Sequence, residues 1–175
     1  MPIKRRCFLS YHKADQDAVD DFINTFDYYH KVFTYRAVRE MDNNIINSND
    51  HDYVMKQIRQ KYLADSTVTI VLVGTCTWAR KYVDWEIAST LRNDPINKRS
   101  GLLAILLPTV RERDAHAPAR FTDNSNQSEL YARFYKYPPS PESLAFMIED
   151  AFAARTTRAH LIDNRRELQI YNRFC

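Results

Sequence analysis

Glu86 is the side chain whose type and position could do chemistry. It lies in Tyr82-Val83-Asp84-Trp85-Glu86-Ile87, a helix-like stretch that follows the apolar run Val68-Thr69-Ile70-Val71-Leu72-Val73 and Gly74. A β-branched run without charge reads as a central parallel strand buried on both faces. Open parallel sheets bind ligands beyond the carboxyl ends of their strands, so the turn after this strand is where a site belongs. On a helix turning about 100° per residue, Val83, Ile87, Thr90 and Leu91 form the stripe that meets the sheet. Glu86 falls on the shoulder of that stripe with Tyr82 one turn earlier, and Trp85 points away from the core. A carboxylate there offers an anionic contact at the mouth of a crevice. The helix macrodipole alone also favours a glutamate in an early turn, so spacing by itself leaves both roles open.

Other candidates are weaker. Ser10 and Cys76 lie near strand ends, but neither has a base nearby in sequence and no G-x-S-x-G elbow is present. The five histidines show no ligand spacing, and no metal is expected. Gly74 and Gly101 are the only glycines, which excludes glycine-cradled phosphate sites of the P-loop, kinase and dehydrogenase types. A phosphoacceptor receiver domain would need acidic residues where this chain has Ser10-Tyr11 and Val73-Gly74. The polar stretch from about Ala37 to Asp50 is long for a connection inside a compact domain, which makes Asp42 and its neighbours candidates for a lid.

The elements that must position these residues follow from pattern. Cys7-Phe8-Leu9-Ser10-Tyr11 is a first strand, and Asp15 is placed as the cap of a helix whose Ala18, Val19, Phe22, Ile23 and Phe26 share one face. Residues 31–36 read as a second strand, 52–62 as a second helix, and Gly101 to Leu107 as a fourth strand stopped by Pro108. Residues 109–128 show no period. Residues 134–137 suggest an edge strand, Ser140-Pro141 starts a helix in the favoured way, and 158–173 reads as a last helix. Five alternations predict an α/β fold, three layers around a mostly parallel sheet of about five strands with helices on both faces.

The 175 residues suit one domain, 1–156, with a helical extension over 157–175 packing on it; 45% hydrophobic content is ample for a core. A formal charge of +3 gives no electrostatic case for nucleic acid, and no run is long and apolar enough to span a bilayer. Cys7 and Cys76 sit in or beside apolar runs, where reduced thiols are expected; with Cys175 the count is odd, and a cytoplasmic location follows.

Taken together, the motifs resemble a known family. Cys7-Phe8-Leu9-Ser10-Tyr11 is similar to the first box of Toll/interleukin-1 receptor (TIR) domains. The stretch from Thr67 to Gly74, then Thr75-Cys76-Thr77-Trp78 and Tyr82 to Ile87, resembles the box in which an aromatic residue precedes a catalytic glutamate by four positions. The Ser-Tyr-His start and Trp-Glu-Ile ending look closest to the bacterial ThsB-like branch of the Thoeris antiphage system. One departure is Tyr82, since the aromatic position of that TIR box is usually tryptophan.

The resemblance implies a flavodoxin-like TIR fold and an NAD glycohydrolase or ADP-ribosyl cyclase making a cyclic ADP-ribose-type signal read by a separate effector. Glu86 would be catalytic, Ser10, Tyr11 and Tyr82 would line the pocket, and the loop around Asp42 would match the family's mobile loop. NAD would be the substrate, with no separate cofactor, and self-association or other TIR subunits would be the protein partners. Two alternatives stand beside it. One is a TIR interaction module without turnover, using an exposed Trp85 and the basic terminal helix as its interface. The other is a nucleoside deoxyribosyltransferase-like enzyme, whose motifs the chain lacks.

Overall fold

In a computed structural model of the chain, which describes residues 3–36, 48–95, 97–126 and 128–175, the strands and helices alternate as the pattern predicts. β1 (Arg5–Ser10) leads to α1 (Gln16–Ile23), which continues as a π-helical turn to Tyr29, and then to β2 (Phe33–Arg36). α2 (His51–Gln57) likewise continues as a π-helical turn to Leu63 before β3 (Val68–Val73). A 3-10 turn at Thr77–Ala79 joins β3 to α3 (Lys81–Leu91), which is followed by β4 (Gly101–Leu106). α4 (Ala119–Asp123), β5 (Arg133–Tyr135) and α5 (Pro141–Thr157) complete the set. The five strands are all parallel, in the order β2-β1-β3-β4-β5.

The two faces of the sheet follow from strand alternation. Cys7 and Leu9 of β1 and Ile70 and Leu72 of β3 join Phe22 and Phe26 of the α1 segment and Leu144 and Ile148 of α5 in one cluster. Val71 and Val73 face the opposite way, against Val83, Ile87 and Leu91 of α3. Phe8 shares that second face with Val54 and Ile58 from the α2 segment and with Trp85. Ser10, two residues beyond Phe8 and paired in register with Val71, therefore points toward α3. Because the chain crosses to opposite faces after β1 and after β3, these neighbouring strands form the topological switch point, the place where open parallel sheets bind ligands.

Local chemistry sets the helix starts. Ser140 Oγ accepts from the Ser143 N–H with Pro141 in the first turn, as the sequence suggests, and the Asp50 carboxylate accepts from the Tyr53 N–H. Asp15 stands at the cap position of α1 but makes no capping bond. Its carboxyl group instead lies against Gly74, where any Cβ would run into it. Gly101 has the harder constraint, because a Cβ there would strike the Ala151 carbonyl in the backbone of α5. Gly101→Ala should therefore cost about 3 kcal/mol through overpacking, read as a melting temperature lower by roughly 6–12 °C.

The terminal segment differs from expectation. Residues 158–173 do not form one helix; after a 3-10 turn at Ala159–Leu161 the chain runs without regular secondary structure along the outer side of α3. Its backbone groups bond to Arg120 and Asn124 at α4, to Asp84 and Trp85 of α3 and to Ala79 before it, and a short isolated helix could not compete with that arrangement. The 109–128 segment, aperiodic in sequence, contains the short helix α4, whose Arg120 is fully buried. No helix among the described residues is long and apolar enough to cross a membrane.

Candidate active site

The switch point brings Ser10 and Glu86 together across 76 residues of sequence. The Ser10 hydroxyl donates to Glu86 Oε2 at 2.5 Å, and both side chains are buried. Glu86 is 8% exposed, and burial pushes its carboxyl group up to about 8, against which the Ser10 hydrogen bond works by favouring the anion. A desolvated carboxyl group with one hydrogen-bond donor is a group whose ionisation a nearby positive charge would favour.

Tyr11 and Tyr82 are both half-buried near this pair. The Tyr11 hydroxyl donates to Gln16 Oε1 at 2.9 Å; burial raises its pKa first, and the nearby charges of Asp20 and Glu86 add to the effect. Tyr82, one turn before Glu86, packs edge-on to Trp85 with ring centroids 5.5 Å apart, and Lys81 Nζ sits 4.9 Å from the Tyr82 centroid. Asp42, placed with the site on the strength of the loop around it, lies outside the described residues.

Sequence reasoning missed several neighbours. Trp85 was expected on the exposed side but is 2% exposed, because it packs with Phe8 of the sheet and Val54, Met55 and Ile58 of the α2 segment, and Leu168 and Gln169 of the terminal segment close over it. Its indole N–H donates to the Gln169 carbonyl at 2.8 Å, and His51 packs 5.1 Å from its ring. An interface built on Trp85 is therefore overturned. Asp84, two residues before Glu86, takes Nε and Nη2 of the buried Arg120 on its two oxygens at 2.8 and 3.2 Å. Asp15 adds a second carboxyl group at the carboxyl end of β3; its Oδ2 is buried without a partner, and burial raises its pKa.

The cysteine expectation divides. Cys7 is free and buried, and burial pushes its thiol up, so it behaves as a packing residue. Cys76, expected as a reduced thiol, is instead joined to Cys175 in a disulfide. The bond spans 99 residues and depends on the path of the terminal segment, which no Cys spacing discloses.

A family model described as the Thoeris protein ThsB TIR-like domain matches residues 8–112. The chain belongs to this family. The matched region contains Ser10, Tyr11, Tyr82 and Glu86, and the five-stranded parallel sheet with helices on both faces is the TIR-like, flavodoxin-like fold. Arg120, Cys175 and the strap formed by residues 162–175 lie outside the match. No curated protein matches the chain.

Proposed function

We propose that this TIR-like domain cleaves NAD at the bond between nicotinamide and ribose, with Glu86 as the catalytic carboxylate. The observation that carries the reading is the buried contact of Ser10 with Glu86 at the switch point between β1 and β3. Nicotinamide leaves as a neutral base from a cationic pyridinium. The C–N bond pair goes to the ring nitrogen, so no general acid has to protonate the leaving group, unlike ordinary glycoside hydrolysis. What develops in the transition state is positive charge on the ribose, and a desolvated carboxylate stabilises that charge more strongly than it stabilises the ground state. Tyr11 and Tyr82 supply flat walls for the substrate. The oxocarbenium is then captured by water, giving ADP-ribose, or by a hydroxyl of the same molecule, giving a cyclic isomer suited to signalling through a separate effector in Thoeris defence.

The burial of Glu86 also protects the step. Free Glu86 holds its proton until the pH nears 8, and the arriving pyridinium favours the anion, so substrate binding drives ionisation in the site. The pH profile of kcat should therefore turn at a lower pH than that of kcat/KM. Ser10→Ala removes the one hydrogen bond that favours the anion, and both turning points should move up by about one pH unit.

The direct test incubates the purified protein with NAD and identifies products by mass spectrometry, alone and in extracts of phage-infected cells. Nicotinamide release that Glu86→Gln abolishes supports the reading. Equal inertness of both proteins at high concentration and in those extracts would count against it and favour an interaction module.

A further inference from the structure

The helix that carries Glu86 is not capped by its own sequence. Arg80, at the cap position of α3, makes no side-chain cap bond, and the last helical residue, Leu91, is followed by an extended Arg92. The strap bonds to both ends, and at the second the Ser100 N–H also donates to the Thr90 carbonyl. Asn172 Oδ1 accepts from the Lys81 N–H at 2.9 Å, one of the donors that a helix start leaves unpaired, and Asn164 Nδ2 donates to the Ala88 carbonyl at 3.0 Å, one of the acceptors left at its end. Between these points the Gln169 N–H donates to Asp84 Oδ2 and the Gln169 carbonyl accepts from Trp85 Nε1. Leu168 packs into the cluster that contains Trp85 and Tyr82.

The two ends of the strap are held very differently. Its start is anchored in the interior by Arg120, which donates to Asn164 Oδ1 and to the Glu167 carbonyl while paired with Asp84. Its far end, residues 170–175, is exposed; a few bonds to Ala79, Arg80 and Lys81 hold it there, together with the Cys76–Cys175 disulfide. Cys175 is exposed and Cys76 is half-buried, so a thiolate can reach the bond.

We propose that Gln169 and Asn172 are positioning residues for the Glu86 helix, and that the Cys76–Cys175 bond is a redox latch on them. Oxidised, the latch keeps the cap on α3 and fixes Trp85, and through it the Tyr82 wall of the site. A dithiol opens it by exchange: one thiolate attacks a latch sulfur, the second resolves the mixed disulfide, and two electrons and two protons leave Cys76 and Cys175 as thiols while the dithiol becomes a cyclic disulfide. The exposed end of the strap then frays, the Lys81 N–H loses its acceptor, and the tyrosine wall loosens. The effect on turnover rests on the NAD reading, whereas the effect on the helix does not.

Two readouts keep the claims separate. Amide hydrogen exchange is measured for peptides covering residues 80–88 in oxidised protein, in protein reduced with dithiothreitol, and in Cys175→Ser and Asn172→Ala. Exchange of the first-turn amides should speed up about tenfold in the last three, while β4 is unchanged. Identical exchange in the oxidised and reduced proteins would overturn the latch. Nicotinamide release is measured on the same samples, where opening should raise KM for NAD about tenfold with kcat altered less than about threefold, a split that loss of stability alone does not produce. A loosened helix with unchanged KM overturns the positioning role and leaves the NAD reading intact. A loosened helix with no release in any sample, oxidised included, supports the latch and sinks the NAD reading.

Discussion

Glu86→Gln should melt about 10 °C higher than the parent protein at pH 8.5, and the gain should shrink toward zero near pH 5. The reason lies in where the carboxyl group titrates. Unfolded, it ionises around its ordinary value of 4.5; folded, burial holds it protonated until about 8. Between these two pH values the folded protein keeps a proton that the unfolded chain has lost, so stability falls as pH rises through the window. Above about 8 the full penalty is present, roughly 5 kcal/mol at most for a displacement of that size. Glutamine is isosteric and neutral, and its carbonyl can still accept from the Ser10 hydroxyl. Thermal melts of both proteins across pH 5–8.5 check this, and parallel curves would show that Glu86 is not desolvated. A residue kept at the expense of stability is the usual mark of a site selected for its chemistry.

The second large effect is expected at Arg120, far from Glu86 in sequence and outside the family match. Arg120→Met should lower stability by about 3–5 kcal/mol, because it strands the buried Asp84 carboxylate without its cation. The loss should be felt beyond the pair, since the same guanidinium holds Asn164 and the Glu167 carbonyl and so anchors the strap. The double variant Arg120→Met with Asp84→Asn should recover much of the loss, because breaking a buried pair costs far more than replacing both partners. Denaturant unfolding of the two variants measures the difference, and an equal loss in both would mean that the strap contacts, not the ion pair, carry the energy.

These two residues also mark where the sequence was legible and where it was not. Val68 to Val73 could be placed at the centre of the sheet because six uncharged, mostly β-branched residues are compatible with little else, and β3 runs over those residues. Ser10 could be placed with Glu86 only through the resemblance of its strand to the first TIR box, and the structure brings their side chains into contact. Trp85 was misjudged because a helical wheel assumes water beyond one face, and here the α2 segment, with Leu168 and Gln169 of the strap, takes the place of the water. That strap carries no period because its bonds are made by single residues, Asn164, Gln169 and Asn172, to helix ends that exist only after folding. Arg120 was hidden for a similar reason: one arginine in an aperiodic polar segment looks like surface until the partner beneath it is known. The disulfide was beyond sequence reach because what brings Cys76 to Cys175 is the path of that same strap.

The measurement closest to the central claim is the rate of nicotinamide release from NAD as a function of pH. If ionised, desolvated Glu86 carries the reaction, kcat/KM should rise with pH as a single ionisation with its midpoint near 8, and Glu86→Gln should show no release at any pH. Release that persists in Glu86→Gln, or a profile already flat above pH 5, would contradict it.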